Sequence, residues 1–341
     1  MEKVLVTGSA GFIGGYLVGE LLNQGYSVIG LDNLSKYGRV IRSFDENPHF
    51  RFVQGDAADV SLLEGLLKDC DHFIASAALI GGISYFHQFA YDLLSKNERI
   101  IAAACDAAIS TRKAGGPLKK VTYLSSSMVF ESTDRWPSVE GDERKVPPPL
   151  SSYGFQKLAV EYFAIAAWDQ YELPYTICRP FNCVGIGESR AIGKKIVKSG
   201  NIDLALSHVV PDIIQKVLKG QSPLRLLGNG EQIRAYTYGG DLARGIVTAM
   251  QHPAATNEDF NISTAESTSV LELAEIIWKK INGEKPFEVI FDNPYEHDVQ
   301  KRIPSVEKAK TVLGFEATTS LEEMLDKVIP WIREAISQNL I

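Results

Sequence analysis

The sequence predicts an α/β fold: a doubly wound parallel sheet with helices on both faces, joined to a smaller α/β domain. Three observations predict it. Short apolar segments alternate with helical ones through the first half of the chain, a glycine-rich run follows the first segment at once, and an Asp closes the second. Alternation at this spacing builds βαβ units, whose crossover helices cover both faces of a parallel sheet. Lys3 to Thr7 reads as the first strand and Phe12 to Asn23 as a helix. Tyr26 to Leu31 is the second strand and Phe50 to Gln54 the third, followed by a helical stretch from Val60 to Lys68. His72 to Ser76 is the fourth strand, Leu93 to Ser110 a long helix, and Val121 to Ser125 the fifth strand. A helix from Tyr153 to Gln170 and a strand from Tyr175 to Arg179 follow.

The pattern weakens after Asn182, where Gly185, Gly187, Gly193 and Gly200 mark loops and Val209 to Lys219 is helical. Asp241 to Met250 and Phe260 to Ser263 are regular enough to return to the sheet. Residues 1–182 are therefore read as the sheet domain, rejoined by about 236–263. Residues 183–235 and 264–341 form the smaller, substrate-binding domain.

Composition bounds the function. The 341 residues are 45% hydrophobic and 23% charged, as in a folded globular chain of about two domains. Lys plus Arg is 35 and Asp plus Glu is 42, a net charge of −7. An acidic chain without a basic block is a poor nucleic-acid partner. The longest apolar stretches are broken by charges, as Ile100 to Ile109 is by Asp106, and none approaches the ~20 residues of a membrane helix. The start, Met1-Glu2-Lys3-Val4, lacks the features of a signal peptide. Cys70, Cys105, Cys178 and Cys183 form no CxxC pair, which suits a reduced, cytoplasmic protein. The six histidines are scattered, so no metal site is expected.

Gly8-Ser9-Ala10-Gly11-Phe12-Ile13-Gly14 stands between the first strand and the first helix. Glycines there permit a tight turn and let a phosphate approach the backbone, while the helix offers free N–H groups and its positive dipole end. This is the Rossmann-type arrangement for a dinucleotide. Asp32 ends the second strand, 18 residues beyond Gly14. A carboxylate there accepts hydrogen bonds from an adenosine ribose and repels a 2′-phosphate, and the nearest following cation is Lys36; NAD is favoured over NADP. Asp56, after the third strand, either reaches an adenine amino group or caps its own turn.

Tyr153 and Lys157 stand four residues apart, on one face of a helix. A phenol is a poor base at neutral pH, but a nearby ammonium and an oxidised nicotinamide favour its ionised form. Ser125, Ser126 and Ser127 close the fifth strand, and the carboxyl ends of parallel strands face the ligand crevice.

With these residues the chain resembles the extended short-chain dehydrogenase/reductase family, in particular its NAD-dependent nucleotide-sugar epimerases and dehydratases. The resemblance runs through Thr7 to Gly14, Leu31-Asp32-Asn33-Leu34, Tyr153 with Lys157, Arg179-Pro180-Phe181-Asn182 and Arg234. It implies Ser126, Tyr153 and Lys157 as the catalytic set, with Tyr153 and Lys157 also touching the cofactor and Lys157 holding its ribose. It places Gly8, Gly11, Phe12, Ile13 and Gly14 against the NAD pyrophosphate, Asp32 and Asn33 at the ribose, and Asp56 with Ala57 at the adenine. It puts Ala77, Ala78 and Asn97 along the cofactor, and Pro180 with Phe181 at the nicotinamide. Ser127, Asn182, Val210, Arg234 and Arg302 are the implied substrate contacts, with Arg234 on the phosphates of a nucleotide sugar.

The chain departs from the family at several places. Phe130 and Glu131 replace a Tyr-Gly pair, and Tyr295 occupies a place often held by Arg. A stretch with Arg190, Lys194, Lys195 and Lys198 is either a solvated face or a contact for phosphates or an acidic sugar. Dehydratases carry an Asp-Glu pair after the catalytic hydroxyl; Ser127 and Met128 cannot replace it. The residues therefore point to redox chemistry alone, most simply 4-epimerisation through a keto sugar. Decarboxylation of a uronic acid and simple oxidation or reduction stay open. The family also implies a homodimer built on the Tyr153 helix and the helix around Asn97, where Tyr162, Phe163, Ile165, Ile100 and Ile101 are apolar.

Overall fold

The computed structural model describes residues 1–38, 41–80, 89–187, 208–294 and 299–339. Arg190, Lys194, Lys195, Lys198 and Tyr295 lie outside them, as do Gly193 and Gly200.

The main sheet joins β1 (Lys3–Thr7), β2 (Ser27–Asp32), β3 (Phe50–Gln54), β4 (His72–Ala75), β5 (Lys120–Leu124), β6 (Tyr175–Pro180) and β11 (Glu258–Ile262). Its order is β3-β2-β1-β4-β5-β6-β11, every pairing parallel. The chain thus winds outward from β1 and then reverses past it to β4, which opens a crevice at the carboxyl ends of β1 and β4. Helices α1 (Phe12–Asn23), α2 (Val60–Leu67), α3 (Ala90–Lys113), α4 (Ser152–Tyr171) and α6 (Gly239–Gln251) cover the sheet.

The inner strands β1 and β2 are mostly apolar because both faces are covered, whereas the edge strand β3 is largely exposed. One face buries Leu5, Phe73 and Val121 against α2, α3 and α4. The other buries Val4, Val6, Ile74 and Phe260 against α1 and α6. Ala309 and Leu313 of α8 (Glu307–Leu313) join that second face, although they follow the main sheet in sequence.

A separate apolar core joins α5 (Val209–Leu218), α7 (Val270–Asn282) and α9 (Leu321–Ser337) to β8 (Leu224–Leu227). Short strands complete this part. β9 (Ile233–Arg234) lies between β12 (Thr268–Ser269) and β14 (Lys301–Arg302), β8 pairs with β13 (Val289–Asp292), and β7 (Cys183–Val184) with β10 (Thr237–Tyr238). Among the described residues no helix is long and apolar enough to cross a membrane.

Sequence and structure differ mainly at element ends. The long helix starts at Ala90 rather than Leu93 and runs to Lys113 rather than Ser110. Asp241 to Met250 forms a helix over the sheet rather than a strand in it, while Phe260 belongs to the seventh strand. The apolar residues expected at a dimer face divide. Ile101 is buried in the core and Ile100, Phe163 and Ile165 pack against it, whereas Tyr162 is 60% exposed and Phe155 and Tyr91 are exposed as well.

Candidate functional site

A cavity of about 1200 Å³ opens at the carboxyl ends of the central strands and continues under α5 and β9. Its floor is the glycine turn. Gly8 has φ +74°, in the left-handed region, and its N–H donates to Leu31 O at 2.8 Å. A Cβ at Gly14 would stand 2.0 Å from Gly8 O, so α1 approaches the turn as closely as a bare backbone allows. The first turn of α1, with Phe12, Ile13 and Gly14, lines the cavity; its N–H groups have no acceptor within the helix. This bare cradle fits a pyrophosphate.

Asp32 is held in place by the same turn. Its Oδ2 accepts from Ala10 N–H at 3.0 Å and its Oδ1 from Leu34 N–H at 2.7 Å. Burial raises its pKa, against the pull of the N–H groups of Leu34, Ala10 and Gly11. Asn33, Asp56, Ala57, Ala77 and Ala78 also line this end of the cavity, and Asp56 caps its own turn through Ala58 N–H at 2.9 Å. Two expected cofactor contacts stand behind the wall instead. The Asn97 amide holds both the N–H and the C=O of Leu79, at 2.6 and 2.9 Å, and so braces the strand-four loop. Phe181 is 1% exposed and packs on Val129 and Phe130. A side chain's direction off a strand end depends on the local bend, which residue type does not reveal.

Ser126, Tyr153 and Lys157 meet on the cavity wall. Ser126 caps the 3₁₀ turn Ser127–Phe130, and Ser151 caps α4 two residues before Tyr153. Burial pushes the Tyr153 phenol above its ordinary pKa; its hydrogen bond with the Ser126 hydroxyl and the charge of Arg302 pull it down. Lys157 stands one turn further along α4. Its Nζ donates to Leu124 O at 2.9 Å, and burial lowers its pKa to about 8. This buried bond ties the ammonium to the carboxyl end of β5.

Beyond the phenol the cavity is cationic. Arg234 and Arg302 face each other across adjacent parallel strands. Arg234 is held by the carbonyls of Ile233, Gln300 and Val299, at 2.9, 3.2 and 2.5 Å, and Arg302 Nη1 by Asn182 Oδ1 at 3.4 Å. Ser127, Pro180, Asn182 and Val210 line the same space. His208, not among the expected site residues, is the N-cap of α5 and lines the cavity. Its pKa falls to about 4, first from burial and then from the Lys36 and Arg302 charges. Its place just before an amphipathic helix was the available signal. Among the described residues no three His, Cys, Asp or Glu side chains cluster to hold a metal ion.

A model of the NAD dependent epimerase/dehydratase family matches residues 4–263. A putative UDP-glucose 4-epimerase of Methanocaldococcus jannaschii is 30% identical over 97% of this chain and 98% of its own. The UDP-glucose 4-epimerase of Thermotoga maritima, solved with UDP-glucose, superposes with a TM-score of 0.80 at 27% identity, covering 98% of this chain and 99% of its own. The UDP-glucuronic acid 4-epimerase of Bacillus cereus, solved with UDP-glucuronic acid and NAD, superposes at 0.81 with 26% identity, covering 97% and 99%.

Proposed function

Because the chain belongs to the NAD dependent epimerase/dehydratase family, we propose that it is a nucleotide-sugar 4-epimerase working through a transient 4-keto sugar. NAD, when bound, supplies a reversible acceptor for the hydride of the sugar's C4. The glycine turn, Phe12, Ile13 and Asp32 hold this cofactor. Tyr153 takes and returns the proton of the 4-hydroxyl at its phenol oxygen, steadied by Ser126. Arg234 and Arg302 hold the two phosphates by charge, so the sugar ring is fixed through its nucleotide and free to turn between the two proton transfers.

The observation that carries this reading is the wall after Ser126. Its next two side chains are Ser127 and Met128, both buried and lining the cavity, and neither is an acid or base for eliminating water. The names of the two epimerases solved with their sugar nucleotides support the same choice.

The test is product analysis on a panel of UDP-, GDP-, CDP- and dTDP-sugars, with substrates deuterated at C4. The expected product is the C4 epimer, with the label retained and no net NADH. Washout of the label, loss of water or carbon dioxide, or stoichiometric NADH would each refute 4-epimerisation.

Asp32 carries a further expectation. Its half-buried carboxylate, facing the ribose end of the cavity, repels a 2′-phosphate, so isothermal titration is expected to show NADP binding far more weakly than NAD. Equal affinities would contradict it. We also propose a two-fold homodimer through α3 and α4, which expose Tyr91 at 78%, Phe155 at 48% and Tyr162 at 60%. Light scattering at micromolar concentration should give twice the chain mass; the monomer mass would exclude it.

A further inference from the structure

We propose that Glu131 is a positioning residue for Tyr153, its carboxylate fastening the first turn of α4 to the 3₁₀ turn that begins at Ser126. The proposal rests on the reading of Tyr153 and Ser126 given above. Those two residues stand on separate local elements, one at the head of the 3₁₀ turn and one in the first turn of α4. Their hydrogen bond is set by how these elements are joined.

Glu131 joins them. Its N–H closes the 3₁₀ turn on Met128 O at 3.1 Å. Its Oε2 accepts both the N–H and the hydroxyl of Ser151, at 3.1 and 2.8 Å. The Ser151 oxygen in turn accepts Gly154 N–H at 3.0 Å, so Tyr153 is enclosed in the capped turn. The fit is close. A Cβ at Gly154 would lie 2.7 Å from Glu131 Oε2, 2.6 Å from Pro149 Cβ and 2.9 Å from Met128 O. The bare glycine is what lets the link close. A carboxylate is the suitable group here, since it accepts two donors at once and meets the positive end of a helix of 20 residues. Glu131 also lines the cavity, so the link lies at the site itself. A second tie, from the Ser132 hydroxyl to Pro148 O at 3.0 Å, joins the same segments further from the phenol and serves as a control.

The experiment uses the full chain with NAD and compares Glu131→Ala, Glu131→Gln and Ser132→Ala. The first readout is the titration of Tyr153 by NMR of ¹³Cζ-labelled tyrosine, assigned with Tyr153→Phe. Loosening the Ser126 hydrogen bond in Glu131→Ala should move the Tyr153 titration to higher pH. Glu131→Gln keeps an acceptor oxygen without the charge and should restore the wild-type titration, as should Ser132→Ala. On the sugar nucleotide that the wild type turns over, Glu131→Ala should lower kcat about tenfold with KM within about twofold, and Glu131→Gln should recover most of it. An unmoved titration in Glu131→Ala would overturn the proposal. So would an equal shift in Glu131→Gln, which marks an effect of charge, or a shift to lower pH. The titration needs no turnover, so an inactive wild type would refute the epimerase reading while Glu131 is still judged.

Discussion

Replacing Tyr153 by Phe is expected to lower kcat by ~10²–10⁴, the usual contribution of a positioned acid/base. That is roughly 3–5 kcal/mol in the activation barrier. The ring is 7% exposed and packs with Leu93 and Met128, contacts that a phenyl group keeps. NAD affinity and thermal stability should therefore stay near those of the wild type. Ser126→Ala should cost less, because it removes one hydrogen bond and leaves the proton acceptor in place. Steady-state kinetics beside isothermal titration of NAD checks both. A kcat for Tyr153→Phe within a few-fold of the wild type would remove Tyr153 from the chemistry.

Arg179→Met is expected to destabilise the fold by ~3–5 kcal/mol at about pH 7, the range for a buried ion pair that loses one partner. Arg179 is wholly buried on β6. Its Nε and Nη2 donate to Glu161 at 2.7 Å each, its Nη1 pairs with Asp259 at 2.6 Å, and Glu143 lies at 3.3 Å. Glu161 also receives the Ser125 hydroxyl at 2.5 Å, one residue before Ser126. Without the guanidinium three carboxylates would face one another out of water.

The loss should also depend on pH. Arg179 and Lys308 hold Asp259 below the ordinary carboxylate range against its burial, whereas burial raises Glu143 despite Arg179. Removing the cation raises the folded-state values of Asp259 and Glu143. A carboxyl raised in the folded state costs stability as pH rises through the unfolded value, so the variant should lose less near pH 5 than near pH 7. Urea unfolding at the two pH values measures this. Equal losses at both would mean that charge is not the cause.

Arg179 and Glu161 also mark the limit of local reading. Tyr153, Lys157 and Glu161 share one helical face at four-residue spacing, so the pattern itself was visible. Its third member carries no recognisable chemistry until Arg179, Asp259 and Glu143 arrive from other elements. Asn97 and Phe181 show the same limit in reverse, since their residue types suit a cofactor contact but their packing turns them to Leu79 and to Phe130.

The parallel sheet, the glycine turn, Asp32 at the end of β2 and the shared face of Tyr153 and Lys157 were all legible along the chain. These depend on strand and helix periodicity and on backbone freedom, which act over a few residues. Only the packing of distant elements decides that Lys157 bonds Leu124 and that Glu131 closes on Ser151. Each of these depends on which donors and acceptors burial has stripped of water and brought within about 3 Å, a condition set by the packing of elements far apart in the chain.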